Sequence, residues 1–83
     1  MSNIRIMIIL KSLIHNLEKK ESKQGIDLYK NALDFFSKND LSNEELFNLY
    51  RSFCGYLAHG EFTQLEYDSI LEIIEILDKS INQ

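Results

Sequence analysis

The sequence predicts an all-α fold, an antiparallel up-down four-helix bundle forming one domain over residues 1–83, and three observations carry that prediction. Apolar residues recur at three- and four-residue steps in four stretches. The chain has no proline and only three well-separated glycines, Gly25, Gly55 and Gly60, so few positions interrupt a helix. The connections are short, which turns each helix back along its predecessor. At 45% hydrophobic and 27% charged the composition is globular. A chain of 83 residues buries only roughly 60% of its unfolded surface, too little to share between two cores.

The first helix is expected to bury Met7, Leu10, Leu13, Ile14 and Leu17. Ile4, Ile6 and Ile8 alternate as a strand would, but a lone strand finds no partner, so helix is preferred. The polar cluster EKKESKQG, with Gly25, ends it. The second helix carries Ile26, Tyr29, Leu33 and Phe36, flanked by Leu28, Ala32 and Phe35, and SKND closes it. The third starts at a capping box, Ser42 with Glu45, and Leu41 and Leu46 are placed to staple its entrance. Its stripe is Leu46, Leu49, Phe53 and Leu57, and Gly60 is expected to stop it in a left-handed conformation. The fourth repeats the grammar: Thr63 with Glu66 is a second capping box, and Phe62 faces Tyr67 as a staple. Tyr67, Ile70, Leu71, Ile74, Leu77 and Ile81 form its stripe, leaving Ile73 and Ile76 to widen the apolar surface, either for a second contact or for a second neighbouring helix.

Charge is distributed unevenly. Residues 1–23 carry five basic side chains against Glu18 and Glu21, a balance of +3; the remainder carries four against eleven acidic ones, −7, giving −4 overall. An acidic surface repels phosphates, so nucleic acid is not an expected partner, and a basic protein suits the chain better. The acidity equally serves solubility. The single cysteine, Cys54, excludes an internal disulfide and suits a reducing compartment. The apolar run from Ile4 to Leu10 is far shorter than the roughly 20 residues that span a bilayer. It lacks the flanks of a secretory signal. The expectation is a cytosolic chain, mature from Met1.

Catalytic chemistry finds little support. His15 and His59 lie on different helices without i,i+4 ligand partners, so no metal site is expected. Cys54 and His59, five residues apart, point about 140° apart on a helix and make no nucleophile pair. Asp68, Glu72 and Glu75 share a helical face, but no Glu-x-x-His motif joins them, and a solvated stripe accounts for them. There is no glycine-rich phosphate loop, and no cofactor is expected. Tyr50, Arg51, Tyr56 and His59 gather toward the end of the third helix, before Glu61. Tyrosine and arginine dominate binding hot spots, so this cluster is either a contact surface or the edge of the core.

The third-to-fourth helix region, LFNLYRSFCGYLAHGEFTQLEYDSILEIIEIL, resembles the enterocin A immunity family of lactic acid bacteria, in the helix layout and in a helix ending at a short polar turn followed by Phe62-Thr63, an acidic residue and an amphipathic helix. The resemblance implies an antiparallel four-helix bundle that protects a producer cell from a pediocin-like bacteriocin without catalysis. It implies recognition, from the cytoplasmic side, of the complex between the bacteriocin and the mannose phosphotransferase permease, with peripheral membrane contact open. In that family the hairpin and the tail beyond it set specificity. Here Gln83 follows the fourth helix directly, so partner binding would rest on Tyr50, Arg51, Tyr56, His59, Glu61, Asp68, Glu72 and Glu75. The net acidity sets the chain apart from many relatives. The competing expectation is a small acidic interaction module, toxin-neutralising or a phage or plasmid regulator.

Overall fold

The computed structural model describes residues 3–20, 25–38, 42–60 and 62–82, which form four α-helices and, among the described residues, no strand. They are α1 (Asn3–Lys19), α2 (Ile26–Ser37), α3 (Asn43–His59) and α4 (Gln64–Ile81). The chain divides into two compact units, Met1–Asp40 and Leu41–Gln83. In the first α1 packs on α2; in the second α3 packs on α4.

In the first unit the alternating isoleucines resolve in favour of helix. Ile6 lies in the core at 0% exposure, whereas Ile4 and Ile8 stand outward at 68% and 54%. The helical period explains this, since residues two apart point about 160° away from each other and residues four apart share a side. Ile9, Leu10, Leu13, Ile14 and Leu17 complete the buried arc, while Met7 is only half-buried. In α2, Tyr29, Ala32 and Phe36 are buried. The half-buried Phe35 meets Phe36 edge to face, with ring centroids 5.5 Å apart. The exposed pair Asp34–Lys38, 3.5 Å apart, contributes little because solvent screens it.

The start of α2 depends on backbone shape rather than on a side-chain cap. Gly25 occupies its N-cap with φ 76°, a left-handed conformation that a Cβ penalises by about 1–2 kcal/mol. The left-handed glycine expected at position 60 is found at position 25 instead.

Both helices of the second unit begin as expected. The Ser42 hydroxyl accepts from the Glu45 N–H at 3.2 Å and donates to Glu45 Oε1 at 3.3 Å. Thr63 does the same with Glu66, both at 3.2 Å. The staple from Leu41 lies outside the described residues. In α3 the buried residues are Leu46 and Phe53; Leu49 and Leu57 are half-buried. The stripe of α4 is rotated from the expected one: Glu66, Ile70, Ile73 and Leu77 are buried, Leu71, Ile74 and Ile81 half-buried, and Tyr67 is 41% exposed. Ile73 is therefore core at 0% exposure, not an extension of the surface. Six isoleucine and leucine positions between 70 and 77, interrupted only by Glu72 and Glu75, fit either phase of the helical period, so the apolar pattern alone leaves the phase open.

Gly55 sits exposed within α3, and a Cβ built on it meets nothing within 4 Å. Gly55→Ala is therefore expected to stabilise the protein by about 0.5–1 kcal/mol, raising Tm by roughly 2–8 °C in a chain of this size. A melt followed by circular dichroism checks it; a lowered Tm would mean that the open space is occupied.

Candidate functional site

The connection between α3 and α4 is fixed by two rings and a glycine. Tyr56, in the last turn of α3, and Phe62, just before the Thr63 cap, lie edge to face with centroids 5.0 Å apart and planes at 81°. Gly60 is extended, with φ −87° and ψ 164°, so any residue could adopt its backbone. What requires glycine there is space, because an added Cβ would collide with the far edge of the Phe62 ring. Phe62 thus turns back onto α3, while its expected staple partner Tyr67 is 41% exposed. Gly60→Ala should push Phe62 off Tyr56 and cost about 1 kcal/mol, the worth of such a ring pair. In a double-mutant cycle monitored by denaturant unfolding, Phe62→Leu should then add little to Gly60→Ala; full additivity would show that the ring had not moved.

Tyr50 lies on the opposite flank of the α3 stripe. Tyr50 and Tyr56 are six residues apart, about 120° around the helix, and each is half-buried beside the fully buried Phe53. The expected cluster is therefore not one patch. The electrostatic influence of Cys54, one turn on, and secondly of Asp78 of α4 raises the Tyr50 phenol above the ordinary 10.0. Both interactions oppose a negative charge on the phenol oxygen, and the hydrogen bond with Cys54 adds to the effect. Phe47, half exposed, meets the Tyr50 ring at 6.5 Å. Asp78 also accepts from the Asn82 amide at 2.9 Å, closing the end of α4. Neither Asp78 nor Phe47 was among the expected site residues. The signal for Asp78 lies in the pairing of two helices, not in its neighbourhood in sequence.

Arg51 and His59 are exposed on the outward side of α3, and Arg51 lines a shallow depression with Asn48 and Ser52. Glu61 lies outside the described residues. On α4, Asp68 and Glu75 are exposed and Glu72 is half-buried; the helical period spreads them over about 60° of the surface away from Ile73. Asp68 accepts from the Gln64 side chain at 2.9 Å. The one strongly buried carboxylate among the described residues is Glu66, at 8% exposure. It is held by Thr63 in the first turn of α4, where the helix dipole favours a negative charge.

Among the described residues, no group of three or more histidine, cysteine, aspartate or glutamate side chains is placed to hold a metal ion, and no helix is long and apolar enough to cross a membrane. No protein-family model, curated protein or solved structure matches the chain.

Proposed function

We propose that the chain is a bacteriocin immunity protein of the enterocin A immunity type. It protects its cell from a pediocin-like bacteriocin by non-catalytic binding at the bacteriocin–permease complex, on the cytoplasmic side. The observation that carries this reading is the built connection of the second unit. Tyr56 closes on Phe62 over Gly60, and Thr63 with Glu66 begins α4 immediately afterwards, which is the hinge pattern on which the resemblance rests. The antiparallel up-down bundle of that family belongs to the same proposal. Within the second unit, the antiparallel pairing of α3 and α4 that it requires is supported by Tyr56 near the end of α3 meeting Phe62 just before α4, and by the electrostatic effect of Asp78, near the end of α4, on Tyr50, earlier in α3. The residues proposed to meet the partner are Tyr56 and His59 near the end of α3, Tyr50 and Arg51 earlier in it, Asp68, Glu72 and Glu75 on α4, and, by its place in the sequence alone, Glu61.

Expression in a sensitive strain, followed by challenge with a panel of pediocin-like peptides, tests the proposal. Survival should rise against at least one peptide, and unchanged survival across the whole panel would sink it. Asp68→Lys with Glu75→Lys should then abolish protection while leaving helicity intact by circular dichroism. Retained protection would assign the stripe to solubility alone.

A second reading, a small acidic module that docks a basic soluble protein, draws on the outward placement of Asp68 and Glu75 and the −7 balance beyond residue 23. Capture of a specific basic soluble partner that the charge-reversed pair no longer holds, together with failure of the challenge assay, would favour it.

A further inference from the structure

The outward face of α1 joins two features that the rest of the chain keeps apart. Ile4 and Ile8 are 68% and 54% exposed, and Lys11, His15 and Lys19, also exposed, continue the same line along the helix. Residues 4 to 19 at the helical rise span about 22 Å, apolar at the N-terminal end and cationic beyond it. Glu18 flanks the line and leaves the two lysines in excess. This is also the one segment of net positive charge, +3 over residues 1–23 in a chain of −4.

We infer that α1 lies on an anionic phospholipid surface, with Ile4 and Ile8 entering the acyl boundary and Lys11 and Lys19 meeting headgroup phosphates. Exposed aliphatic side chains followed by a row of lysines suit the layered chemistry of a bilayer interface, where apolar groups sink and long cationic stems reach back to the phosphates. The same line lacks the aromatic and arginine anchors that dominate protein-binding hot spots. Attachment is peripheral and reversible, because two isoleucines and two lysines supply far less than a spanning helix. The acidity of the remaining residues makes binding depend on α1. The inference stands on this helix face and does not rest on the immunity reading, whose survival assay reads a different property.

Co-sedimentation of the full chain with lipid vesicles tests it. Binding is expected to vesicles carrying roughly a third phosphatidylglycerol and not to pure phosphatidylcholine. It should weaken in about 1 M salt, where the screening length falls to about 3 Å. Ile4→Asp with Ile8→Asp and, separately, Lys11→Glu with Lys19→Glu should each reduce it roughly tenfold or more. Leu65→Asp, at an exposed apolar position of α4, should leave it unchanged. All these positions are exposed, and circular dichroism verifies that each variant is folded. Absence of binding to the anionic vesicles, equal binding to neutral ones, or an equal loss in Leu65→Asp overturns the inference. So does self-association of the chain that Ile8→Asp removes, which would give the face to a second copy.

Discussion

Phe53→Ala should lose about 3–5 kcal/mol of stability, the usual cost of emptying a phenylalanine site in a packed core. The residue is 0% exposed at the centre of α3, between the half-buried flanks that carry Tyr50 and Tyr56. A domain of this length holds roughly 4–12 kcal/mol in total, so the variant should be partly or wholly unfolded near room temperature. Urea unfolding, or the lost helical signal itself, gives the answer. Phe53→Leu should recover much of the deficit, because it returns most of the apolar volume. A loss below about 1 kcal/mol for the alanine variant would mean that the site collapses freely or is not core.

Ile73→Ala should cost about 2–5 kcal/mol, and Ile76→Ala, at a half-buried position, only about 1 kcal/mol. The apolar pattern alone treats the two isoleucines alike, as surplus beyond the stripe. The structure separates them, with Ile73 in line with Ile70 and Leu77 and Ile76 to one side. Denaturant midpoints measured at two protein concentrations decide between core and intermolecular contact. A core residue gives the same loss at both concentrations, whereas an oligomer contact gives a loss that varies with dilution. Equal, small losses for the two variants would overturn the assignment of Ile73 to the core.

Legibility in the sequence followed the range of the interactions involved. Helix starts at Ser42 and Thr63 were readable because their hydrogen bonds join residues three apart. The helical state of all four segments was readable from periodicity. Rotational phase was not, since α4 offers apolar residues on more than half its circumference and only its neighbour on α3 selects which are covered. The glycines show the same limit. Gly60 was read from its position after a helix as a conformational stop, but its reason is a ring two residues on, while the conformational requirement fell on Gly25. Among the candidate contact residues, the split of Tyr50 from Tyr56 follows from counting around the helix. The company each keeps, Asp78 for one and Phe62 for the other, depends on which residues the α3–α4 pairing brings face to face.

Instructions for beginning a helix are stored differently in the two halves of the molecule. In the second unit each helix carries its own hydroxyl cap, so nucleation there needs only a few adjacent residues and can run ahead of long-range packing. In the first, α2 begins at a glycine that makes no side-chain cap bond and must be held by what it packs against. During synthesis α2 therefore leaves the ribosome with a weaker local start than the two capped helices that follow it.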